Sequence, residues 1–120
     1  MINFKDIKDV HIELTTLCNA RCPLCVRNAN GYPHNFGYPE VSLTLAQVKQ
    51  ILDPEFVKQL HTISICGNYG DFVANNEALE IINYLGTANP KLRMSISTNG
   101  GARSTKFWQE LAKYNTDIYF

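Results

Sequence analysis

The sequence predicts an α/β fold with a parallel sheet, and three observations support that prediction. Segments with the residue pattern of strands alternate with segments that have the apolar spacing of helices, from a first strand through three helices to a fourth strand. Such an alternation is typical of parallel strands joined by right-handed crossovers. The first three strand-like segments also run into distinctive loops rich in Cys, Gly or Asn. The length of 120 residues, of which 45% are hydrophobic and 18% charged, fits one compact domain or a piece of a larger one.

Four segments have the character of strands: residues 10–15, 62–66 and 94–98, and the opening of a fourth strand at 117–120. In the first three, apolar and polar side chains alternate, so each strand has one apolar and one polar face. Helices can cover the apolar faces. The polar faces would then line a cavity, as on the inside of a curved or partial barrel, formed by His11, Glu13, Thr15, Thr62, Ser64, Cys66, Ser95 and Ser97.

The first helix is predicted to begin after Thr44, which forms a capping-box pattern with Gln47. It should end before Pro54, because proline cannot continue a helix, with a further turn extending through Leu60. Residues 28–41, which precede this helix, are rich in Asn, Gly, Pro and aromatic residues and predict an irregular loop.

Two more helices are expected further along the chain. Asn76 is predicted to cap the second helix, and Gly86 is placed to end it. Ser104 is predicted to cap the third helix, whose apolar face includes Phe107 and Leu111. Because the carboxyl ends of parallel strands meet at one edge of a sheet, the three distinctive loops should converge there.

The charge balance excludes some classes of partner. Eleven basic and eleven acidic side chains give a formal net charge of zero, so no long-range field favours nucleic acid or an anionic membrane. No apolar run approaches the roughly 20 residues that span a bilayer, and the N-terminus lacks the pattern of a signal peptide. We therefore expect a cytoplasmic protein with neither a nucleic-acid nor a membrane partner.

The cysteines are the most informative feature of the sequence. Three of the four, Cys18, Cys22 and Cys25, follow the first predicted strand within a single short loop. Because the cytosol keeps thiols reduced, such a group more often binds metal or does redox chemistry than forms a disulfide.

Three kinds of site remain open from the residues alone. Structural zinc takes four ligands, so the fourth would have to be a histidine or Cys66, which is otherwise interpreted as a buried strand residue. An electron-transfer 4Fe-4S cluster also takes four thiolates. Three thiolates on such a cluster would leave one iron open to an external ligand, which is a catalytic arrangement.

The pattern Cys18-x-x-x-Cys22-x-x-Cys25 after a first strand resembles the signature of the radical S-adenosylmethionine (radical SAM) enzymes. The resemblance implies that the three cysteines hold a 4Fe-4S cluster whose open iron is chelated by S-adenosylmethionine. It also implies a partial (βα) barrel, of which residues 1–120 form the N-terminal portion of the core domain, truncated at about the fourth strand. We therefore expect a fragment, or a barrel that a second chain completes.

Two further loops match that family by position. The turn from Cys66 to Asp71 stands where the family carries a Gly-Gly-Glu-Pro motif, although here the turn is longer, and residues 97–100 are similar to its Thr-Asn-Gly stretch. The same positions also suit residues that form turns. The resemblance implies that Asp71 accepts a hydrogen bond from the cofactor's ammonium group. The full set of cofactor contacts that it implies is Gly67, Asn68, Asp71, Thr98 and Asn99, with His11, Glu13 and Ser64 lining the cavity.

The implied reaction takes one electron from a reduced flavodoxin or ferredoxin. S-adenosylmethionine is cleaved reductively to methionine and a 5'-deoxyadenosyl radical, which abstracts hydrogen from an unidentified small-molecule or peptide substrate. The cofactors carry this chemistry, so no side chain of the protein is assigned a catalytic step. The alternative is a non-catalytic module that binds zinc or an electron-transfer iron–sulfur cluster.

Overall fold

The computed structural model describes residues 3–29, 32–33 and 39–120. Its strands are β1 (Asp9–Ile12), β2 (Asn28–Ala29), β3 (Tyr32–Pro33), β4 (Thr62–Ile65), β5 (Arg93–Ser97) and β6 (Thr116–Tyr119). Its α-helices are α1 (Leu45–Ile51), α2 (Pro54–Gln59), α3 (Ala78–Ala88) and α4 (Thr105–Leu111). None of the helices in these ranges is long and apolar enough to cross a membrane.

The main sheet has the strand order β1-β4-β5-β6, and all of its neighbouring strands are parallel. The predicted α/β fold with a parallel sheet is confirmed. The register aligns one apolar row across the sheet, made of Ile12, Ile65, Ile96 and Ile118. The next row is polar, made of His11, Ser64, Ser95 and Asp117, and its members are exposed or half-buried. The predicted division into an apolar and a polar face is therefore correct for the paired strands, but Thr15, predicted on the polar face, is buried beyond the end of β1.

The first strand is shorter than its sequence pattern suggests. It ends at Ile12, and the residues after it form hydrogen bonds with the segment before α1. The Leu43 amide donates to the Leu14 carbonyl at 2.9 Å, and Thr15 forms an antiparallel bridge with Ser42. The chain thus leaves the parallel ladder early because another segment satisfies its backbone groups.

The first helical region follows the predicted capping chemistry. The Thr44 hydroxyl accepts a hydrogen bond from the Gln47 amide at 3.2 Å, and the Thr44 amide donates to Gln47 Oε1 at 2.9 Å. The helix ends before Pro54 as predicted. The further turn is a separate helix, α2, which begins at this proline and is capped by the carboxylate of Asp53.

The start of α3 differs from the prediction. Asn76 is not its cap; Glu77 occupies the N-cap position without a side-chain capping bond. The neighbouring Asn75 is buried instead, and its amide group donates to the carbonyls of Leu14 and Leu43, both at 2.9 Å. Asn75 Oδ1 also accepts a hydrogen bond from the Glu77 amide at 2.8 Å. Asn75, not Asn76, therefore orders this turn. Its partners Leu14 and Leu43 are distant in sequence, so local sequence does not reveal its role.

The predicted end of α3 at Gly86 is wrong, because the helix continues to Ala88. Gly86 lies inside the helix where the ring of Tyr114 packs against it, and a Cβ there would approach Tyr114 Cδ1 to 2.5 Å. This glycine permits close packing rather than a chain reversal. The predicted cap of α4 is confirmed, since Ser104 Oγ accepts from the Phe107 amide.

The hydrophobic core lies between the apolar face of the sheet and the helices. Its largest fully buried side chains are Leu52, Ile63, Ile65, Ile81, Ile82, Leu85, Leu92, Met94, Ile96, Leu111, Val48 and Val57. Of the predicted irregular loop 28–41, residues 30–31 and 34–38 lie outside the described part, and β2 and β3 pair antiparallel on either side of 30–31.

Candidate functional site

Three loops meet at the carboxyl edge of the sheet, as its parallel topology predicts. They are the cysteine loop after β1, the loop 66–71 after β4, and the loop 98–101 after β5. The Asp71 amide donates to the Leu17 carbonyl at 2.8 Å, which joins the first two loops. Asn99 Nδ2 donates to Asn19 Oδ1 at 3.0 Å, which joins the first and the third.

The turn after β4 requires glycine at position 70. A Cβ on Gly70 would lie only 1.9 Å from the carbonyl oxygen of Thr15, which belongs to the main chain and cannot rotate away. The close approach of these two backbones places the turn directly against the start of the cysteine loop.

Asp71 is buried and connects the loops after β4 and β5. Its Oδ1 accepts hydrogen bonds from the Thr98 hydroxyl at 2.6 Å and from the Val73 amide at 3.0 Å. Its Oδ2 accepts from the Asn99 amide at 2.6 Å. An ionised carboxylate has about four lone-pair sites, so three bonds from the protein leave room for one more donor.

The Asn99 side chain connects the loop after β5 with the cysteine loop. Its Oδ1 accepts from the Gly101 amide at 2.8 Å, while its Nδ2 donates to Asn19 Oδ1 and lies 3.6 Å from Cys18 Sγ. Gly100, between them, has a φ of +64°, a left-handed conformation that favours glycine. The sequence Asn-Gly-Gly is thus a turn that aims an amide at the cysteine loop.

A cleft of about 320 Å³ opens between the loops after β4 and β5. Three of the predicted cofactor contacts, Gly67, Asp71 and Thr98, line it. Asn68 and Asn99 do not. Its remaining lining residues are Cys66, Gly70, Ser97, Tyr119 and Phe120. Sequence reasoning missed the two aromatic residues, although their position at the end of the fourth predicted strand was a usable signal.

The polar face of the sheet leads towards this cleft. His11 Nε2 lies 2.6 Å from the carbonyl oxygen of Cys66. Asn68 Nδ2 donates to Glu13 Oε1 at 2.7 Å, so the side chain of Asn68 is bonded to the residue that directly follows β1. Cys66 is half-buried just beyond β4, not fully buried as the sequence suggested, and its thiol is free.

The cysteine loop carries three free thiols. Cys18 and Cys25 are half-buried and Cys22 is exposed. A turn connects the last two, because the Cys25 amide donates to the Cys22 carbonyl at 3.1 Å, and the Asn28 side chain donates to that same carbonyl at 3.2 Å. The loop is therefore internally ordered by its own backbone bonds.

The donor set of this loop fits an iron–sulfur cluster by its chemistry, since free thiols become the thiolate ligands that such clusters use. The fit concerns residue type and accessibility. Within residues 3–29, 32–33 and 39–120, no group of three or more His, Cys, Asp or Glu side chains is arranged so that it could hold a metal ion. Ligation by Cys18, Cys22 and Cys25 stays a prediction.

The fold is similar to that of BtrN, a radical SAM enzyme. The crystal structure of BtrN in complex with AdoMet and 2-DOIA superposes with a TM-score of 0.66 and 19% identity, covering 89% of this chain and 42% of that one. Selenomethionine BtrN in an open conformation gives a TM-score of 0.62 and 20% identity, covering 89% and 45%. The chain thus spans less than half the length of these BtrN chains.

No protein-family description matches the sequence, and no curated protein resembles it significantly. The similarity to BtrN therefore concerns the fold, at an identity too low to transfer individual residue roles. It confirms the predicted fold class, an α/β sheet that corresponds to part of a radical SAM enzyme.

Proposed function

We propose that this chain forms the cluster-binding part of a radical SAM active site. Cys18, Cys22 and Cys25 would hold a 4Fe-4S cluster, and S-adenosylmethionine would bind in the adjoining cleft. The observation that carries the proposal is the meeting of the three-thiol loop with the Asp71–Thr98 cleft at one edge of a parallel sheet. The fold shared with BtrN supports it.

The protein's own groups have defined tasks in this proposal. The half-buried positions of Cys18 and Cys25 limit access of water to two of the three thiolates. When bound, a cluster held by Cys18, Cys22 and Cys25 would, together with S-adenosylmethionine and an electron from reduced flavodoxin or ferredoxin, supply radical chemistry for hydrogen abstraction from a small-molecule or peptide substrate. The chain positions both groups and supplies no proton donor of its own in this scheme.

Asp71 would orient the methionine end of S-adenosylmethionine. Its carboxylate lines the cleft and retains acceptor capacity after its three bonds within the protein. A bond to a cationic ammonium group is charge-assisted and stronger than a neutral one. Tyr119 and Phe120 form an aromatic side of the same cleft, which suits the apolar parts of the ligand.

Anaerobic reconstitution with iron and sulfide tests the proposal. We expect about four irons per chain and an electron paramagnetic resonance spectrum that changes when S-adenosylmethionine is added. Cys18→Ala, Cys22→Ala and Cys25→Ala should each lose the cluster. Cys66→Ala is the matched control, because it removes the remaining thiol and should keep about four irons.

One result would contradict the proposal, and another would limit it to its cluster-binding half. One tightly bound zinc per chain, with no response to S-adenosylmethionine, would indicate a structural or storage site instead. A cluster that forms but yields no 5'-deoxyadenosine with dithionite would restrict this chain to cluster binding. Because the chain spans less than half of the BtrN chains, turnover of a substrate is a separate question from cleavage of the cofactor.

A further inference from the structure

The orientation of the Asn99 side-chain amide is determined by its surroundings. The Gly101 amide donates to one end of the group at 2.8 Å, so that end must be the oxygen Oδ1. The other end, the NH2 group, therefore faces the cysteine loop. There it donates to Asn19 Oδ1 at 3.0 Å and reaches Cys18 Sγ at 3.6 Å.

The backbone around Asn99 is fixed as firmly as its side chain. Its amide donates at 2.6 Å to the buried carboxylate of Asp71. Space on the other side is equally restricted, because a Cβ on Gly101 would lie 2.8 Å from Asn99 Oδ1 and 3.0 Å from Asn19 Nδ2. The side-chain amide of Asn99 is thus held in position by the protein alone, without a bound ligand.

Cys18 differs from the other two cysteines of its loop. Its sulfur receives a second donor, the Ala20 amide, at 3.4 Å. Across the described ranges, both hydrogen bonds to a cysteine sulfur fall on Cys18. Hydrogen bonds to the sulfur ligands are among the features that set the potential of an iron–sulfur cluster.

We propose that Asn99 is a positioning residue for the Cys18 ligand, not a contact to S-adenosylmethionine. The inference rests on the proposed function and deepens it. A sulfur atom carries more negative charge when the cluster is reduced, so an N–H donor stabilises the reduced form more than the oxidised one. Asn99 therefore raises the reduction potential and makes the electron easier to accept.

The test measures the midpoint potential of the reconstituted cluster without S-adenosylmethionine, by titration with dithionite. Asn99→Ala removes the donor without adding charge, and we expect a lower potential. The expected size is a threefold to tenfold shift of the reduction equilibrium, where tenfold corresponds to about 59 mV for one electron. Asn76→Ala, which removes an exposed amide from the turn before α3, should leave the potential unchanged.

Asn99→Asp is the second variant. It keeps the oxygen that accepts from the Gly101 amide, replaces the NH2 group by oxygen, and should lower the potential at least as far as Asn99→Ala. Because its negative charge also lowers the potential by itself, Asn99→Asp serves if the alanine variant fails to fold, and an unchanged potential in it would overturn the positioning role. The binding constant for S-adenosylmethionine is measured alongside, and we expect little change in Asn99→Ala.

Each outcome bears on one idea only. A wild-type chain that forms no cluster overturns the proposed function itself. A wild-type cluster whose potential is unchanged in both Asn99 variants overturns the positioning role. Weakened binding of S-adenosylmethionine at an unchanged potential would assign Asn99 to the cofactor instead, which also overturns it.

Discussion

Removing the Asp71 carboxylate should destabilise the whole chain, because this group joins two loops through three hydrogen bonds. In Asp71→Ala, the Val73 amide, the Thr98 hydroxyl and the Asn99 amide all lose their acceptor. Two of these donors belong to buried residues and cannot recover a bond from bulk water. An unsatisfied buried donor costs about 1–3 kcal/mol, while the donor of the exposed Asn99 is rehydrated at little cost. The expected loss is about 2–6 kcal/mol in the free energy of unfolding.

Asp71→Asn separates the charge from the shape of the side chain. Its remaining oxygen can still accept from the Val73 and Thr98 donors, but its NH2 group then faces the Asn99 amide, donor against donor. The expected loss is about 1–3 kcal/mol. Asp71→Asn should therefore lose less stability than Asp71→Ala, and both losses are measurable against a typical stability of about 5–15 kcal/mol.

Urea unfolding of the metal-free protein, followed by fluorescence, is the appropriate assay. The single tryptophan, Trp108, packs against Phe107 and lies near Phe120, so its emission should report unfolding. Asp9→Asn, on the exposed side of β1, is the matched control and should stay within about 0.5 kcal/mol of wild type. If Asp71→Asn were as stable as this control, the carboxylate would not be the connection between the loops that its geometry indicates.

Three further predictions concern other contacts in the fold. Gly70→Ala should lower the free energy of unfolding by about 1–3 kcal/mol, because its new methyl group would collide with the carbonyl of Thr15. A melting temperature equal to that of wild type would contradict this. Asn75→Ala removes the side-chain donor to the Leu14 and Leu43 carbonyls and the acceptor of the Glu77 amide, although the Leu14 carbonyl keeps its bond from the Leu43 amide. A loss of about 1–3 kcal/mol in the free energy of unfolding is expected in urea. Tyr84→Phe removes the donor to the Leu52 carbonyl at 2.6 Å and should cost about 0.5–1.5 kcal/mol at pH 7. Burial raises the pKa of Tyr84 above its ordinary value, so its neutral form stabilises the fold fully below about pH 10. That contribution is lost as the pH rises through the raised pKa of Tyr84 in the folded protein, so wild type and Tyr84→Phe should converge in stability at high pH. A difference that stays constant with pH would refute the role assigned to the Tyr84 hydroxyl.

The sequence predicted the elements whose causes are local. The capping pair Thr44 and Gln47, the break at Pro54 and the cap at Ser104 depend on residues within one helical turn, and all three are confirmed. The prediction for Gly86 was wrong because its role depends on Tyr114, which lies in the turn after α4. Local pattern cannot distinguish a glycine that ends a helix from one that accommodates a ring.

The candidate site was predictable in its location and less so in its bonding. Parallel topology alone brings the cysteine loop and the two other loops to one edge, so their convergence could be inferred from element order. The pairing of Asp71 with Thr98 depends on how far each loop extends past its strand, which no pattern in the sequence encodes. Tyr119 and Phe120 were missed for a related reason, since their strand was recognised but its neighbouring cleft was not.

The row of isoleucines across the sheet has a consequence for the candidate site. It aligns Ile65 with Ile96, so the loops after β4 and β5 leave the sheet at matching heights. A slip of β5 by one residue would turn its apolar side chains outward and also displace Asn99 by about 3.3 Å. That displacement is nearly as long as the 3.6 Å contact between Asn99 and Cys18. The packing of the isoleucine row in the core thus fixes the strand register, and the register in turn sets the distance between Asn99 and Cys18 at the edge of the sheet.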